Sequence, residues 1–162
     1  MSPELTTAIA ALLGIDSVPA TGMLVGRAHH LALAALLRDH GYTFYVTCCA
    51  SHWPAQAATK TAPECLEHFE VATVLRRPAA RSLDAAGSVT FAWRVEVPAD
   101  GALDSLALLF AGADWQEREQ YDLVGVRFAH HPDLRRLMMD EDWPGHPLRK
   151  DYPIETSHAP WR

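Results

Sequence analysis

The densest group of residues that could do chemistry in this chain of 162 residues is the run Glu117–Asp122, whose sequence is EREQYD. On a helix, Arg118, Glu119 and Asp122 share one face, because residues three or four positions apart are neighbours. Arg118 is then spaced to pair with Asp122. Two carboxylates beside an arginine are consistent with a solvent-exposed face, a protein interface or a general acid–base pair, and the last of these also requires a pocket.

A second candidate is the run His130–Asp133, because adjacent histidines suggest a metal site. No HExxH pattern and no third ligand at a suitable spacing follow it, so metal binding is the minor interpretation. The alternative is a turn in which Asp133 caps the next helix and His131 forms local hydrogen bonds. His29 and His30 begin another predicted helix and are expected on the surface.

Other common sites are not indicated by the sequence. It contains no GxGxxG, GxxxxGK[ST], GxSxG or CxxC pattern, which argues against a nucleotide site on this chain. The cysteines Cys48, Cys49 and Cys65 lack the spacing of a zinc or iron–sulfur site. We therefore expect three thiols in a reducing compartment, buried or half-buried on strands.

The segment from Trp143 onward combines tryptophan, tyrosine, arginine and lysine with four prolines, and we predict no regular structure for it. Aromatic residues and arginine are enriched in interface cores, and proline lowers the entropy lost on docking. This composition favours an extended tail bound to a partner over an unstructured terminus. We accordingly divide the chain into a domain of residues 1–142 and a tail of residues 143–162.

The predicted elements indicate an α+β fold: a two-layer domain with a mixed or mainly antiparallel sheet, helices on one side and an irregular docking tail. Strands follow one another instead of alternating with helices. Asp114 and Glu117 have the spacing of a capping box at the start of the third helix. The predicted helices are Pro3–Leu13, His29–His40 and Trp115–Val124, with short ones from Asp104 or Ser105 to Phe110 and from Pro132 to Met139, the latter with Arg135 and Arg136 exposed. The predicted strands are Met23–Gly26, Tyr42–Cys49, Leu66–Arg76, Val89–Val97 and Val126–Phe128.

The composition is that of a soluble globular domain with 21% charged residues and a formal net charge of −6, so nucleic acid is not an expected partner. The apolar runs are far shorter than the roughly 20 residues that span a bilayer. The N-terminal sequence has no basic region and is not expected to be a signal peptide. Membrane association is therefore expected only through partner subunits.

The C-terminal third resembles the C-subunit family of respiratory-chain NADH dehydrogenases. The resemblance rests on ERE, DLV two residues later, His131, Arg135 and Leu137-Met138 at the family's spacing, and on GHPLRKDYP at residues 145–153. It extends over Ala113–Pro153 and is loose before that. His130 is a departure, because the family usually has glycine there.

The resemblance implies a subunit of the peripheral arm of proton-translocating NADH:quinone oxidoreductase (complex I), at the cytoplasmic side of the bacterial inner membrane. Such a subunit has no catalytic residues, metal or cofactor of its own, and no activity alone. FMN, iron–sulfur clusters and quinone lie on partner subunits, and the neighbours are the large quinone-site subunit, related to hydrogenase large subunits, and the adjacent iron–sulfur subunit. The implied interface or signature residues are Trp115, Glu117, Arg118, Glu119, Asp122, His131, Arg135, Arg136, Trp143, His146, Arg149, Lys150, Asp151 and Tyr152.

Two other functions remain open at this point. The first is the equivalent subunit of a membrane-bound energy-converting hydrogenase or formate hydrogenlyase, for which the chemistry again lies on a partner. The second is a small hydrolase or metal enzyme that would use His131, Glu119 and Asp122. Only this last function predicts activity or bound metal in the isolated chain.

Overall fold

The protein is an α+β domain, and its computed structural model describes residues 2–19, 22–59, 63–79 and 88–153. A mixed four-stranded sheet has the strand order β1-β4-β3-β2, in which β2, β3 and β4 are antiparallel and β1 is parallel to β4. A two-stranded parallel sheet pairs β5 with β6. The helices are α1 (Pro3–Leu13), α2 (His30–Asp39) and α3 (Ala113–Val124), and the strands are β1 (Met23–Leu24), β2 (Phe44–Trp53), β3 (His68–Arg77), β4 (Val89–Pro98), β5 (Ala102–Asp104) and β6 (Arg127–Ala129).

The three long predicted helices are present, and α1 has the predicted bounds. The Ser2 side chain accepts a hydrogen bond from the Leu5 N–H, Pro3 occupies the first turn, and Gly14 ends the helix in a left-handed conformation. These are the residue types that favour a helix start and stop at those positions. Local sequence therefore determines both ends of α1.

The core lies on one face of the four-stranded sheet. Along β4, Phe91, Trp93, Val95 and Val97 are buried and the residues between them are exposed, as their alternation predicts. His30 is also buried, contrary to expectation, and its Nδ1 accepts a hydrogen bond from the Trp93 indole 3.1 Å away. Burial lowers the pKa of His30 to about 4, so the ring is neutral in the core.

Two of the predicted short helices do not form. Ala102–Asp104 is strand β5, paired in parallel with β6, and turns follow it up to Phe110. The segment from Pro132 to Met139 is irregular as well. Its last three backbone N–H groups donate to the carboxylate of Asp122 and not to carbonyl groups one turn earlier, so a tertiary contact replaces the helix.

Strand β2 ends later than predicted, because it continues through Ser51 to Trp53 in a region predicted to be a loop, whereas β1 is shorter than predicted and ends at Leu24. Cys48 is buried on β2, and burial raises the pKa of its thiol. Cys49 lies on the same strand but is exposed, and Cys65 is half-buried and forms an isolated β-bridge with Gln56. All three thiols are free.

The edge of the sheet at β2 is covered by side chains of α3. Gln116 accepts from the Cys48 N–H (2.8 Å) and donates to the Val46 carbonyl (3.4 Å), and Gln120 accepts from the Ala50 N–H (2.9 Å). One helical step of four residues rises about 6 Å, which nearly matches the roughly 6.6 Å between alternate residues of a strand. The two amides therefore take the hydrogen-bonding positions of a fifth strand.

Candidate functional site

The candidate site is the outer side of α3 together with the segments of residues 131–139 and 143–153 that are bound to it. Trp115 is 66% exposed and Glu119 is half-buried, whereas Glu117, Arg118 and Asp122 are buried. The interpretation of the EREQYD run as a solvent-exposed face is therefore wrong for most of its charges. Three residues spaced by four positions, Asp114, Arg118 and Asp122, each hold the segment of residues 131–139 against the helix.

Asp122 is the centre of this arrangement. It is fully buried, and its Oδ2 accepts from the backbone N–H groups of Leu137, Met138 and Met139 at 3.0, 2.7 and 2.9 Å. Its Oδ1 accepts from Arg136 at 2.8 Å. Burial would raise the pKa of this carboxyl, but the backbone donors and Arg136 together outweigh burial and hold the pKa below its usual value.

The predicted ion pair between Arg118 and Asp122 is absent, because each residue has other partners. Arg118 donates to the carbonyls of Arg135 (3.2 Å) and Arg136 (3.3 Å) and lies 3.9 Å from Asp133. Arg118 thus binds carbonyl groups of the segment of residues 131–139 instead of the Asp122 carboxylate, which lies one turn along the helix. Arg118 and Asp122 hold consecutive parts of that segment.

Arg136, which was expected to be exposed, is mostly buried and links three parts of the chain. Its guanidinium donates to the Asp122 carboxylate, to the Asp122 carbonyl (3.3 Å), and to the carbonyls of Trp143 (2.9 Å) and Gly145 (3.1 Å). A planar guanidinium with five donors suits such a branched contact. Arg135, by contrast, is exposed as predicted and pairs with Asp133 at 2.9 Å.

Glu117 does not complete a capping box. The helix begins one residue earlier than Asp114, after Gly112, and no side chain caps it. Glu117 instead accepts from the Ser105 hydroxyl (2.6 Å) and the Leu106 N–H (2.8 Å), which connects α3 to the chain that follows β5. Burial raises the pKa of Glu117 to about 7, although these two donors oppose the rise.

His131 forms local hydrogen bonds, as the non-metal interpretation predicts. Its Nδ1 accepts from the Asp133 N–H (3.1 Å), so Nε2 carries the proton and donates to the Asp114 carbonyl (3.1 Å). Asp133 caps no helix there. Both nitrogens of His131 and both carboxylate oxygens of Asp122 therefore have hydrogen-bond partners within the chain.

His130 has a positive φ of 62°, and it is the one residue other than glycine with this conformation among those that the structure describes. This conformation strains a residue that has a Cβ atom, which explains why glycine suits the position. We predict that His130→Gly raises the free energy of unfolding by about 1 kcal/mol. Urea unfolding would measure this rise in the free energy of unfolding. His130→Ala is the control, because it removes the ring but keeps the strain, and a gain of the same size in that variant would contradict the prediction.

The segment of residues 143–153 packs on this same domain, although it has no helix or strand. Trp143 donates to the Tyr152 hydroxyl (3.2 Å), His146 donates from Nδ1 to the Asp122 carbonyl (2.8 Å), and the Leu148 N–H donates to the Leu123 carbonyl (2.8 Å). The predicted division after Asp142 therefore places residues that contact α3 in the tail. The remainder of that tail, residues 154–162, lies outside the described residues.

Gly125 allows His146 to lie against the end of α3. Its φ is +92°, and a Cβ atom there would lie 2.7 Å from Cδ2 of His146. We predict that Gly125→Ala lowers the free energy of unfolding by about 2 kcal/mol or more, because it combines backbone strain with displacement of the histidine. Chemical unfolding would test this. Gly14→Ala is the matched control, since Gly14 has φ +65° but no atom within 4 Å of the added Cβ. Equal losses in both variants would show that the histidine contact contributes nothing.

A second group of charges anchors the segment to the sheet. Arg149 pairs with Glu67 and with Asp151, and His52 on β2 donates to Glu67 (3.0 Å). Lys150 donates from its backbone N–H to His52 (3.3 Å) and places its ammonium 4.3 Å from the centre of the Trp53 ring. The hydrogen bond from His52 and those from Arg149 hold the pKa of Glu67 below its usual value, against a smaller opposite effect of desolvation.

His52, Glu67 and Asp151 also have ligand atoms within 4.8 Å of one another, a spacing that would suit a metal ion. The guanidinium of Arg149 binds both carboxylates, however, and supplies the positive charge itself. A metal ion would have to displace it. The group is therefore a set of ion pairs that attaches the segment to β2 and to the residue before β3.

Sequence reasoning missed Gln116, Gln120, Ser105, His52 and Glu67. Only the two glutamines left a signal, which is their spacing of four residues on one helix. The hydrogen bonds of the other three to Glu117, Arg149 and Lys150 join residues at least 12 positions apart, and nothing in the local pattern indicates them.

Comparison with known proteins identifies the family of this chain. The model of the family "Respiratory-chain NADH dehydrogenase, 30 Kd subunit" matches residues 23–158. The C subunit of NADH-quinone oxidoreductase from Geobacter sulfurreducens is 56% identical over 57 residues, which is 35% of either chain. The J subunit of NAD(P)H-quinone oxidoreductase from Synechococcus sp. (strain RCC307) is 51% identical over 71 residues, 43% of this chain and 40% of the relative. The matched stretches thus span well under half the length of these relatives.

The fold has a solved counterpart in a trypsin-resistant fragment (residues 1–134) of Nqo5, with a TM-score of 0.53 and 25% identity over 68% of this chain and 80% of that one. No helix among the described residues is long and apolar enough to cross a membrane. The family model covers most of the chain, including the sheet, α3 and the segments bound to it. The chain therefore belongs to the respiratory-chain NADH dehydrogenase 30 kDa subunit family.

Proposed function

We propose that this chain is a non-catalytic subunit of the peripheral arm of proton-translocating NADH:quinone oxidoreductase, at the cytoplasmic side of the bacterial inner membrane. It docks on the large quinone-site subunit, beside the adjacent iron–sulfur subunit, and supports electron transfer from NADH to quinone. In this proposal, FMN, the iron–sulfur clusters and quinone are bound by partner subunits.

The observation that supports this role most directly is that charged residues of the family's signature form their contacts within this chain. Glu117, Arg118 and Asp122 have all their charged groups bound to other parts of the same chain. They hold two irregular segments in one conformation, which is what a preorganised docking surface requires.

The signature charges thus contribute to docking indirectly. An intersubunit ion pair at Arg118 or Asp122 would first have to break buried contacts within the chain, and leaving a buried charge unpaired costs several kcal/mol. We infer that these residues shape the surface, while the exposed residues around them contact the partner.

The test is to purify the tagged chain with its partners from solubilised membranes of its native host. We expect NADH-driven quinone reduction in the purified material, together with flavin and iron–sulfur subunits. Hydrogen evolution with nickel in the same material would instead assign the chain to an energy-converting hydrogenase or formate hydrogenlyase. Activity or stoichiometric metal in the isolated chain would contradict a non-catalytic role.

A further inference from the structure

Three exposed apolar side chains lie on the outer side of α3 and on the two segments bound to it, and the described residues leave them uncovered. Trp115, Met138 and Leu148 are 66%, 64% and 62% exposed. Trp115 precedes Arg118 by three positions and Asp122 by seven, so it lies on the side of the helix to which the segment of residues 131–139 is bound. We call Trp115, Glu119, Met138, Leu148 and the acidic run Asp140–Asp142 the outer face of α3.

Backbone contacts place the other members of this face beside the helix. The Met138 N–H donates to the Asp122 carboxylate, and the Leu148 N–H donates to the Leu123 carbonyl, so both residues lie near the last turn of α3. The buried carboxylate of Asp122 holds Met138, and the backbone of the half-buried Leu123 holds Leu148. The exposed side chains are therefore presented at low conformational cost, which favours binding.

The chain that follows Met138 is acidic, whereas Leu148 is followed by Arg149 and Lys150, which contact Glu67, Asp151 and Trp53. Asp140, Glu141 and Asp142 are exposed, and they lie between Met139, which is bound to Asp122, and Trp143, whose carbonyl is bound to Arg136. Their side chains and that of Glu119 form no ion pair within the described residues. The exposed Arg135 is already paired with Asp133.

We propose that the outer face of α3 is a docking surface for a partner protein that offers an apolar cleft to Trp115 and Met138 and basic side chains to the acidic run. This inference rests on the proposed function and names the surface through which the chain would join its complex. Tryptophan is enriched among residues that dominate binding energy, and complementary charges around an apolar centre speed association and set the register.

Charge also argues against other occupants. In a symmetric contact between two copies of this chain, each acidic run would lie on the same interface as its copy, and like charges would repel. An anionic membrane surface or a nucleic acid would be repelled as well. A different protein with a basic rim fits the charge pattern.

The experiment compares three variants with the wild-type chain. Trp115→Gln and Met138→Gln remove the apolar contacts, and the combined change Asp140→Asn, Glu141→Gln and Asp142→Asn removes the acidic charge. The control is Leu24→Gln, which alters an exposed apolar residue on β1, in the four-stranded sheet. Each variant is tagged, its assembled fraction in solubilised membranes is measured, and its affinity for the large subunit recovered with the wild type is determined at low and high salt.

We expect at least a tenfold loss of affinity for Trp115→Gln and for the neutralised run, and an unchanged value for Leu24→Gln. Added salt should weaken wild-type binding more than binding of the neutralised variant. All variants should melt within a few degrees of the wild type, because the altered side chains are exposed. A normal melting temperature with impaired assembly separates docking from folding.

Three results would overturn the inference. If every variant assembles with wild-type affinity while the wild type joins the NADH:quinone oxidoreductase, the surface is wrong and the proposed function stands. If the pure chain forms dimers that Trp115→Gln abolishes, or binds anionic vesicles through Trp115, the surface has a different occupant. If the wild type recovers no such complex, the proposed function fails and this inference fails with it.

Discussion

Replacing Asp122 by alanine should lower the free energy of unfolding by about 3–5 kcal/mol, the range for breaking a buried ion pair by removing one partner. The carboxylate binds three consecutive backbone N–H groups and Arg136, and all of these donors would lose their acceptor in a buried site. A domain of this size would melt roughly 6–20 °C lower. Chemical and thermal unfolding followed by circular dichroism would measure both quantities.

The variant Asp122→Asn tests the role of the carboxylate more specifically. Asparagine has one acceptor oxygen and one donor group, whereas both carboxylate oxygens of Asp122 accept hydrogen bonds. The NH2 group of asparagine would therefore face the donors of either Arg136 or the backbone N–H groups. We therefore expect a loss nearly as large as that of alanine. The control is Asp133→Asn, because Asp133 is an exposed carboxylate whose ion pairs should be worth at most about 1 kcal/mol. If Asp122→Asn costs no more than Asp133→Asn, the proposed role of the Asp122 carboxylate is wrong.

The second large effect is the pH dependence that Glu117 gives to the free energy of unfolding. Its pKa is about 7 in the folded protein and 4.5 in a model peptide, so between these values the folded protein retains a proton that the unfolded chain releases. The contribution of this group to stability therefore falls as pH rises from 4.5 to 7 and is constant above that. The fall amounts to roughly 3 kcal/mol, from 1.36 kcal/mol for each unit of difference in pKa.

Glu117→Gln should remove this dependence, because the amide does not titrate. Glutamine can still accept from Leu106 and donate to the Ser105 oxygen. Urea unfolding of both proteins from pH 4.5 to 8 gives the difference in free energy of unfolding at each pH, and other titrating groups largely cancel in that difference. We expect the difference to shift by about 3 kcal/mol in favour of the variant. A difference that stays constant over this range would show that Glu117 does not titrate with a raised pKa.

Local patterns were sufficient for the elements whose ends have their own signals. Helical composition and periodicity predicted the bounds of α1, and the alternation along β4 predicted its buried face. The family resemblance could also be recognised from the sequence, because the signature residues keep the family's spacing. These features depend on neighbouring residues, which a single sequence displays directly.

The partners of the signature residues could not be predicted in this way. Asp114 and Glu117 have the spacing of a capping box, but Glu117 binds Ser105 and Leu106, which precede the helix. The segment after Pro132 has helical composition, but the Asp122 carboxylate takes the N–H groups that a helix would use. In both places a contact distant in sequence outweighs a weak local preference.

The position of the two glutamines on α3 has a consequence for the chain during its synthesis. Gln116 lies 68 residues after the strand residue that it covers, so β2 emerges during synthesis long before its cover exists. At about 5–20 residues per second, that interval lasts roughly 3–14 s. An uncovered strand edge is a template for pairing with other chains. Until α3 has been made and packed, the edge of β2 is therefore open to pairing with other chains.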